Sequence, residues 1–261
     1  MLARSLPMPF TQAIVRLPGR SLTFGITSAQ LGPPDIARAL DQHAAYVEAL
    51  RRCDVTVTIL PALEDYPDSV FIEDAALCTR SGALSTRPGA ESRRAEAAIL
   101  LPELQRFFPD IGCVEAPGTL DAGDVMMVGD HFYIGLSERT NQAGADQLVA
   151  FLTSRGLTGS CVPLRDSLHL KTGLSYLENG HLLATGEFLG RPEFSGLQVV
   201  EVPAEESYAA NSVWVNGWVI MPAGYPLTKA RVGRLGYEVI EVDTSEYRKL
   251  DGGVSCLSLR F

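Results

Sequence analysis

Val213-Trp214-Val215-Asn216-Gly217-Trp218-Val219-Ile220 decides the fold of this chain. Two apolar runs rich in β-branched and aromatic residues flank Asn-Gly. That dipeptide is the strongest short hairpin signal, because both turn positions need a positive φ that Asn and Gly tolerate. Before the hairpin stands Val199-Val200-Glu201-Val202-Pro203. After it come a helical stretch at 227–235, closed by Gly236, and then Glu238-Val239-Ile240-Glu241-Val242-Asp243. The plan recurs along the chain. Short β-branched runs lie at 57–61, 113–117 and 160–163, and apolar strands at 70–77, 125–128, 174–177 and 254–259. Ser81-Gly82, Gly129-Asp130 and Asn179-Gly180 each turn into a second strand.

Helices fill several gaps. Residues 35–52 place Ile36, Leu40, Val47 and Leu50 on one stripe. Asn141 caps a helix running to Arg155, with Gly156 beyond it. A third starts near Ser92 and is interrupted by Pro102, where a kink is expected. The fourth repeat has only a short helical candidate at 204–208. The unit is thus hairpin, helix, strand, with a period of roughly 40 to 50 residues that signals a closed or stacked repeat. The fifth unit lacks a second strand, which 13–17 or 22–26 can supply by bringing the chain ends together. The expected fold is one α/β domain over 1–261, a five-unit propeller with pseudo-fivefold repeats.

Composition narrows the function. The chain has 261 residues, of which 46% are apolar and 20% charged, enough for a sizeable core. No apolar run approaches the roughly 18 residues of a membrane helix. Prolines break Met1-Leu2-Ala3-Arg4-Ser5-Leu6-Pro7-Met8-Pro9-Phe10, which argues against a signal peptide. Cys53, Cys78, Cys113, Cys161 and Cys256 are odd in number and widely spaced, with no CxxC pair. That pattern fits a reducing cytoplasm and neither a disulfide framework nor a zinc ribbon. A net charge of −9 without a basic stripe argues against nucleic acid as a partner. The same acids serve solubility or meet a cationic small molecule. The sequence is compatible with a homodimer.

The polar residues fall at equivalent places. At the loop-to-strand junctions stand Glu73/Asp74, Asp121, His169, Asn211 and Cys256, with successive spacings of 47, 48, 42 and 45 from Asp74. In a ring of equivalent units these positions face a common axis, so acids, an imidazole and a thiol converge on one pocket. Taken singly, His169 reads as a core histidine, Asp121 as a turn former and Cys256 as a small buried hydrophobe. Glu73-Asp74 is different, because it interrupts Val70-Phe71-Ile72 and Ala75-Ala76-Leu77. Burying carboxylates is costly unless they are paired, and a cationic ligand would pair them. Cys256 is expected on the polar face of a terminal strand with Val254, Ser258 and Arg260, just past Gly252-Gly253.

A thiolate is the reactive form, and a free thiol ionises only near pH 8.5. An imidazolium or a bound cation favours it, so Cys256 and His169 read as a nucleophile and an acid/base group. Carboxylates around a planar cation suit a guanidinium, whose donors fork to match their oxygens. Zinc competes for a Cys, His and Asp set, but no short-range ligand pair accompanies these residues. The expected chemistry uses no cofactor and no metal.

These residues carry a resemblance. Phe71-Ile72-Glu73-Asp74 with Pro67-Asp68 before it, Thr86-Arg87-Pro88-Gly89-Ala90-Glu91-Ser92-Arg93-Arg94, Asp121-Ala122-Gly123-Asp124, Leu168-His169-Leu170-Lys171-Thr172-Gly173 and Asp251-Gly252-Gly253-Val254-Ser255-Cys256 span nearly the whole chain. On them the chain resembles the dimethylarginine dimethylaminohydrolases, within the guanidine-modifying superfamily that includes arginine deiminases and amidinotransferases. The His and Cys motifs are shared by the whole superfamily. The compact length, without the helical insertion typical of arginine deiminases, favours the dimethylarginine branch.

The resemblance implies a pentein-like, five-bladed α/β propeller. It also implies hydrolysis of asymmetric dimethylarginine or monomethylarginine to citrulline and dimethylamine or methylamine. Cys256 would attack the guanidinium carbon to form a covalent thiouronium. His169 would protonate the leaving amine and then activate water. Asp121, where several bacterial relatives carry glutamate, would orient His169 or the guanidinium. Glu73 and Asp74 would face the guanidinium, Asp68 the α-amino group, and Arg93 and Arg139 the carboxylate. Backbone oxygens of Ile26 and Leu250 match further contacts, and Gly25-Ile26-Thr27-Ser28 would belong to a lid. Without the resemblance, Arg93 and Arg139 read as solvated surface residues. Two rivals stay open: an arginine deiminase releasing ammonia, separated by the size of the pocket beside Cys256, and a non-catalytic binder of cationic amino acids. An intact Cys, His and Asp set speaks against the binder.

Overall fold

Five three-stranded sheets share one topology in the computed structural model, which describes residues 9–261. Residues 1–8, and with them most of the segment read against a signal peptide, lie outside the described residues. The first sheet is made by β1 (Gln12–Arg16), β2 (Thr56–Leu60) and the last strand of the chain. Then follow β3 (Ala76–Thr79), β4 (Gly82–Ser85) and β5 (Ile111–Cys113). The third sheet holds β6 (Val125–Val128), β7 (His131–Leu136) and β8 (Thr158–Pro163). The fourth holds β9 (Leu174–Tyr176), β10 (His181–Ala184) and β11 (Gln198–Glu201). The fifth holds β12 (Val213–Val215), β13 (Trp218–Pro222) and β14 (Glu238–Val242). β15 (Leu259–Arg260) completes the first sheet.

In every sheet the middle strand pairs antiparallel with the inner strand, its hairpin partner in four of the five sheets, and parallel with the outer strand. The parallel pairing requires a crossover, and four units build it with a helix. These are α1 (Ile36–Arg52), α2 (Arg94–Leu104), α3 (Gln142–Thr153) and α4 (Pro226–Arg234). The fourth unit crosses through two short 3-10 turns instead, Gly186–Phe188 and Pro192–Phe194. A fifth helix, α5 (Ser245–Arg248), follows β14 without having left a periodic signal.

Local chemistry explains most boundaries. The Asp35 carboxylate accepts the Arg38 N–H at 3.0 Å and the Asn141 amide oxygen accepts the Gly144 N–H at 2.9 Å, so both helices start on side-chain caps. Helix α2 continues through Pro102, which falls in its last turn and forfeits a single backbone bond. The buried stripe of α1 runs through Ala39, His43, Tyr46 and Leu50, while Leu40, expected on it, is exposed. Both candidates for the closing strand are settled: Gln12–Arg16 forms it, with Ala13 opposite Arg260 and Ile14 opposite Leu259, whereas Arg20–Phe24 is a 3-10 turn. The two described ends of the chain therefore lock one sheet. Inner strands contact their neighbours around the ring, β15 with β3, β6 with β9 and β9 with β12. Among the described residues no helix is long and apolar enough to cross a membrane.

Candidate active site

Short 3-10 turns, rather than strands, carry the polar junction residues. Glu73 and Asp74 lie in Ile72–Ala75, and Asp121 and His169 stand directly before Ala122–Asp124 and Leu170–Thr172. Asn211 follows Ala204–Ala210, and Cys256 lies in Ser255–Leu257. The strands expected over 70–77 and 254–259 are corrected accordingly, to Ala76–Thr79 and Leu259–Arg260. Glycine explains the second correction. A Cβ at Gly252 would collide with the Phe71 ring, and one at Gly253 with the Asn211 amide. The chain is drawn in there and turns, with the Cys256 N–H on the Gly253 carbonyl at 3.2 Å. Cys256 thus owes its place to a turn and not to a strand face. The turns touch around the ring, Ile72–Ala75 meeting both Ser255–Leu257 and Ala122–Asp124, and Leu170–Thr172 meeting Ala122–Asp124 and Ala204–Ala210.

One cavity collects most of the expected site. It is lined by Ile26, Asp68, Phe71, Asp74, Arg93, Arg139, Leu168, His169, Leu250, Asp251, Gly252 and Cys256. Asp121 lies fully buried behind it and accepts His169 Nε2 on Oδ2 at 3.1 Å. Its Oδ1 accepts the Gly89 N–H at 2.9 Å, which fixes the carboxylate. Glu73 and Asn211 do not reach the cavity lining. Both instead hold Ser255, Glu73 through the Ser255 hydroxyl at 2.8 Å and Asn211 through the Ser255 N–H at 2.8 Å. The expected pair of guanidinium-facing acids is split, Asp74 into the cavity and Glu73 behind the cysteine turn. Replacing Gly253 by Ala is expected to push Asn211 off Ser255. Turnover should then fall at least about tenfold with a lowered melting temperature, since overpacking costs about 1–3 kcal/mol. Steady-state kinetics and a melting curve check it.

Arg93 is buried, in contrast to its reading as surface. Its guanidinium donates to Asp74 Oδ2 at 2.6 Å, to Glu96 at 2.9 and 3.2 Å, and to the Phe71 carbonyl at 2.9 Å. Most of its donors are therefore engaged within the protein. Arg139 is half-buried and its side chain has no hydrogen-bond partner among the described residues. Burial pushes the Glu96 carboxyl up to about 7 although Arg93 opposes the shift. An Arg93→Met variant leaves Asp74 and Glu96 without their cation. It should lose about 3–5 kcal/mol of stability, the usual result of orphaning a buried charge. Denaturant titration at pH 8 measures this.

Electrostatics separate the two reactive groups. Burial raises the Cys256 thiol and the Glu73 and Asp74 charges raise it further, to about 12, so it rests protonated. Burial disfavours the His169 imidazolium, but Asp74, Asp124 and Asp121 outweigh that and lift it to about 9. Burial likewise opposes the Asp74 carboxylate, and His169 with Arg93 overcomes it, so its pKa is lowered. At neutral pH the site therefore holds a neutral thiol and an imidazolium. Ligand oxygens of Asp74 and Asp121 and a nitrogen of His169 lie within 4.8 Å of one another, close enough for a metal ion. All three side chains already have partners in Arg93, Gly89 and one another.

Similarity to other proteins agrees. A family model described as N,N dimethylarginine dimethylhydrolase, eukaryotic, matches residues 34–158. The chain is 61% identical over 253 residues to an N(G),N(G)-dimethylarginine dimethylaminohydrolase of Pseudomonas aeruginosa, covering 97% of this chain and 100% of the relative. The chain belongs to the dimethylarginine dimethylaminohydrolase family. A Streptomyces coelicolor member is 38% identical over 255 residues, covering 97% of this chain and 98% of the relative. A solved structure of a P. aeruginosa dimethylarginine dimethylaminohydrolase, a cysteine-to-serine mutant complexed with citrulline, superposes with a TM-score of 0.97 at 60% identity, covering 97% of this chain and all of that one. The five-bladed propeller expected of the family is the fold observed.

Several lining or supporting residues of this family member escaped sequence reasoning. Lys171 stands two residues after His169, yet its partner Glu73 is 98 positions away. Asp251 adopts a positive φ of 59° and caps the 26–29 segment, its Oδ2 accepting the Ser28 N–H at 2.6 Å and the Thr27 hydroxyl at 3.1 Å. The sequence signal is Asp directly before Gly252-Gly253, a run that favours a turn. Ile26 and Leu250, both expected at the site, line the cavity, and the Ile26 N–H donates to Asp68 Oδ1 at 3.0 Å.

Proposed function

We propose that this chain hydrolyses asymmetric dimethylarginine, and monomethylarginine, to L-citrulline and dimethylamine or methylamine. The observation that carries the reading is a thiol and an imidazolium lining one acid-bearing cavity, in a chain so close to enzymes of that name. The substrate is itself a cation. Bound beside Cys256, its guanidinium offsets the negative field of Glu73 and Asp74 and favours the thiolate. Asp74, on the cavity wall, pairs with the guanidinium. Arg139, with its donors unengaged, takes the substrate carboxylate, and Arg93 contributes mainly by holding Asp74 in place. Asp68, facing Ile26 and Arg139, takes the α-amino group.

With the substrate bound, the Cys256 thiol releases its proton to solvent, and the thiolate adds to the guanidinium carbon. The carbon–nitrogen bond to the methylated amine breaks as His169 gives that nitrogen its proton, leaving a thiouronium on Cys256. Neutral His169 then takes a proton from water, whose oxygen adds to the same carbon. The carbon–sulfur bond breaks, the proton left on the added oxygen passes to the departing sulfur, citrulline forms, and the thiol is restored. Asp121 holds His169 in position throughout and favours its charged form. The domain acts in a reducing cytoplasm without cofactor.

Citrulline release from dimethylarginine and from arginine, compared under identical conditions, tests the reading. Faster release from dimethylarginine is expected. Faster release from arginine would assign the deiminase reaction instead, and no citrulline from either would leave the chain a binder.

A further inference from the structure

A second cavity, of about 130 Å³, reaches Glu73, Lys171, Ser255 and Arg260, none of which lines the cavity holding Cys256 and His169. At its floor Glu73 is almost fully buried between two cations. Its Oε1 accepts Lys171 Nζ at 2.6 Å and Arg260 Nη2 at 3.2 Å, and its Oε2 accepts the Ser255 hydroxyl at 2.8 Å. Ser255 is held at every polar atom. Its N–H donates to Asn211 Oδ1 at 2.8 Å, its hydroxyl oxygen accepts Asn211 Nδ2 at 3.0 Å, and its carbonyl accepts Arg260 Nη1 at 3.2 Å. Cys256 is the next residue, with Sγ 4.0 Å from the Ser255 hydroxyl oxygen.

The two cations come from elements with separate duties. Lys171 sits in the turn that begins at His169. Arg260 belongs to β15, the strand that closes the propeller, opposite Ala13. Without them Glu73 would be a buried, uncompensated carboxylate directly beneath the nucleophile, an arrangement that proteins rarely sustain. The carboxylate would turn toward water in the rear cavity and release Ser255.

We propose that Lys171 and Arg260 are positioning residues of the catalytic turn: their ion pairs with Glu73 hold Ser255, and so Cys256, in place and offset the negative charge beneath the thiol. Glu73 and Asp74 raise the Cys256 thiol and Lys171 opposes them; Tyr208 also acts on it, and Asp68, Arg93, Arg139, His169 and Asp251 line the same cavity. Closure of the ring is thereby tied to the reactivity of the cysteine. The proposal rests on Cys256 as the nucleophile. Alkylation reads the thiol itself, so this test stands or falls apart from the identity of the substrate.

The test follows iodoacetamide modification of Cys256 in the full chain at pH 8, with the Cys256 peptide quantified by mass spectrometry. Lys171→Met should slow it at least about threefold, because a tenfold loss of thiolate is partly offset by greater nucleophilicity. The same variant should lower kcat about tenfold and leave KM within about twofold, since Lys171 does not reach the substrate cavity. Lys171→Arg should restore both. Should Lys171→Met melt early, the double variant Glu73→Gln with Lys171→Met removes both charges and is expected to alkylate at the wild-type rate or faster. A Lys171→Met protein that alkylates at the wild-type rate would overturn the proposal. A double variant still as slow as the single one would overturn it too.

Discussion

Replacing Cys256 by serine is expected to lower citrulline release by at least about 10³-fold while the protein remains folded. A serine hydroxyl is a far weaker nucleophile than a thiolate, and nothing in this cavity is arranged to deprotonate it. His169, the candidate base, rests protonated because Asp74, Asp124 and Asp121 surround it. The fold should be indifferent to the change. Sγ accepts one weak bond, from the Gly253 N–H at 3.4 Å, and an oxygen can accept it as well. Turnover is read by citrulline formation and folding by the melting temperature. A serine variant that turns over at the wild-type rate would remove Cys256 from the chemistry.

His169→Ala is the second large effect, with kcat expected to fall about 10²–10⁴-fold. The pH dependence has a definite sign. The folded pKa of about 9 lies above the ordinary histidine value of about 6.5, so the acid form persists through neutrality and is lost as pH rises through 9. The wild-type kcat should therefore decline on the alkaline side near pH 9, and His169→Ala should lack that limb. Asp121→Asn removes one of the charges sustaining the imidazolium and should move the limb to lower pH. The linked stability has the same sign: the charged His169 stabilises the fold in full below about pH 6.5, and the contribution disappears as pH climbs through 9. Profiles of kcat against pH for the three proteins test the assignment.

The repeat is legible because four of the five units carry their own hairpin signal and all five carry strand signals, and Asn216-Gly217 marks one hairpin without ambiguity. Asp121, His169 and Cys256 were legible for the same reason, since their positions recur at the period of the fold. Arg93 was not. It opens a helix three residues before Glu96, a pattern shared with solvated ion pairs such as Glu91 with Arg94, and its burial depends on Asp74 from another turn. Glu73 reads with Asp74 as an acid pair because together they interrupt one apolar run and match one motif. A 3-10 turn aims neighbouring side chains in different directions, so the pair divides between two cavities. Arg260 looked like one polar residue of an alternating terminal strand. Six residues are too few to separate a strand from a turn followed by a strand, and the packing of Gly252 and Gly253 against Phe71 and Asn211 decides between them.

The central claim is that the reaction passes through a covalent bond between Cys256 and the substrate's guanidinium carbon. Acid quenching during turnover of dimethylarginine, followed by mass spectrometry of the digested protein, tests it most directly. The account predicts that the peptide containing Cys256 carries the mass of the substrate less dimethylamine, and that the adduct is absent from Cys53, Cys78, Cys113 and Cys161. Citrulline formed in the same reaction with Cys256 unmodified at every time sampled, or with the adduct on another cysteine, would contradict it.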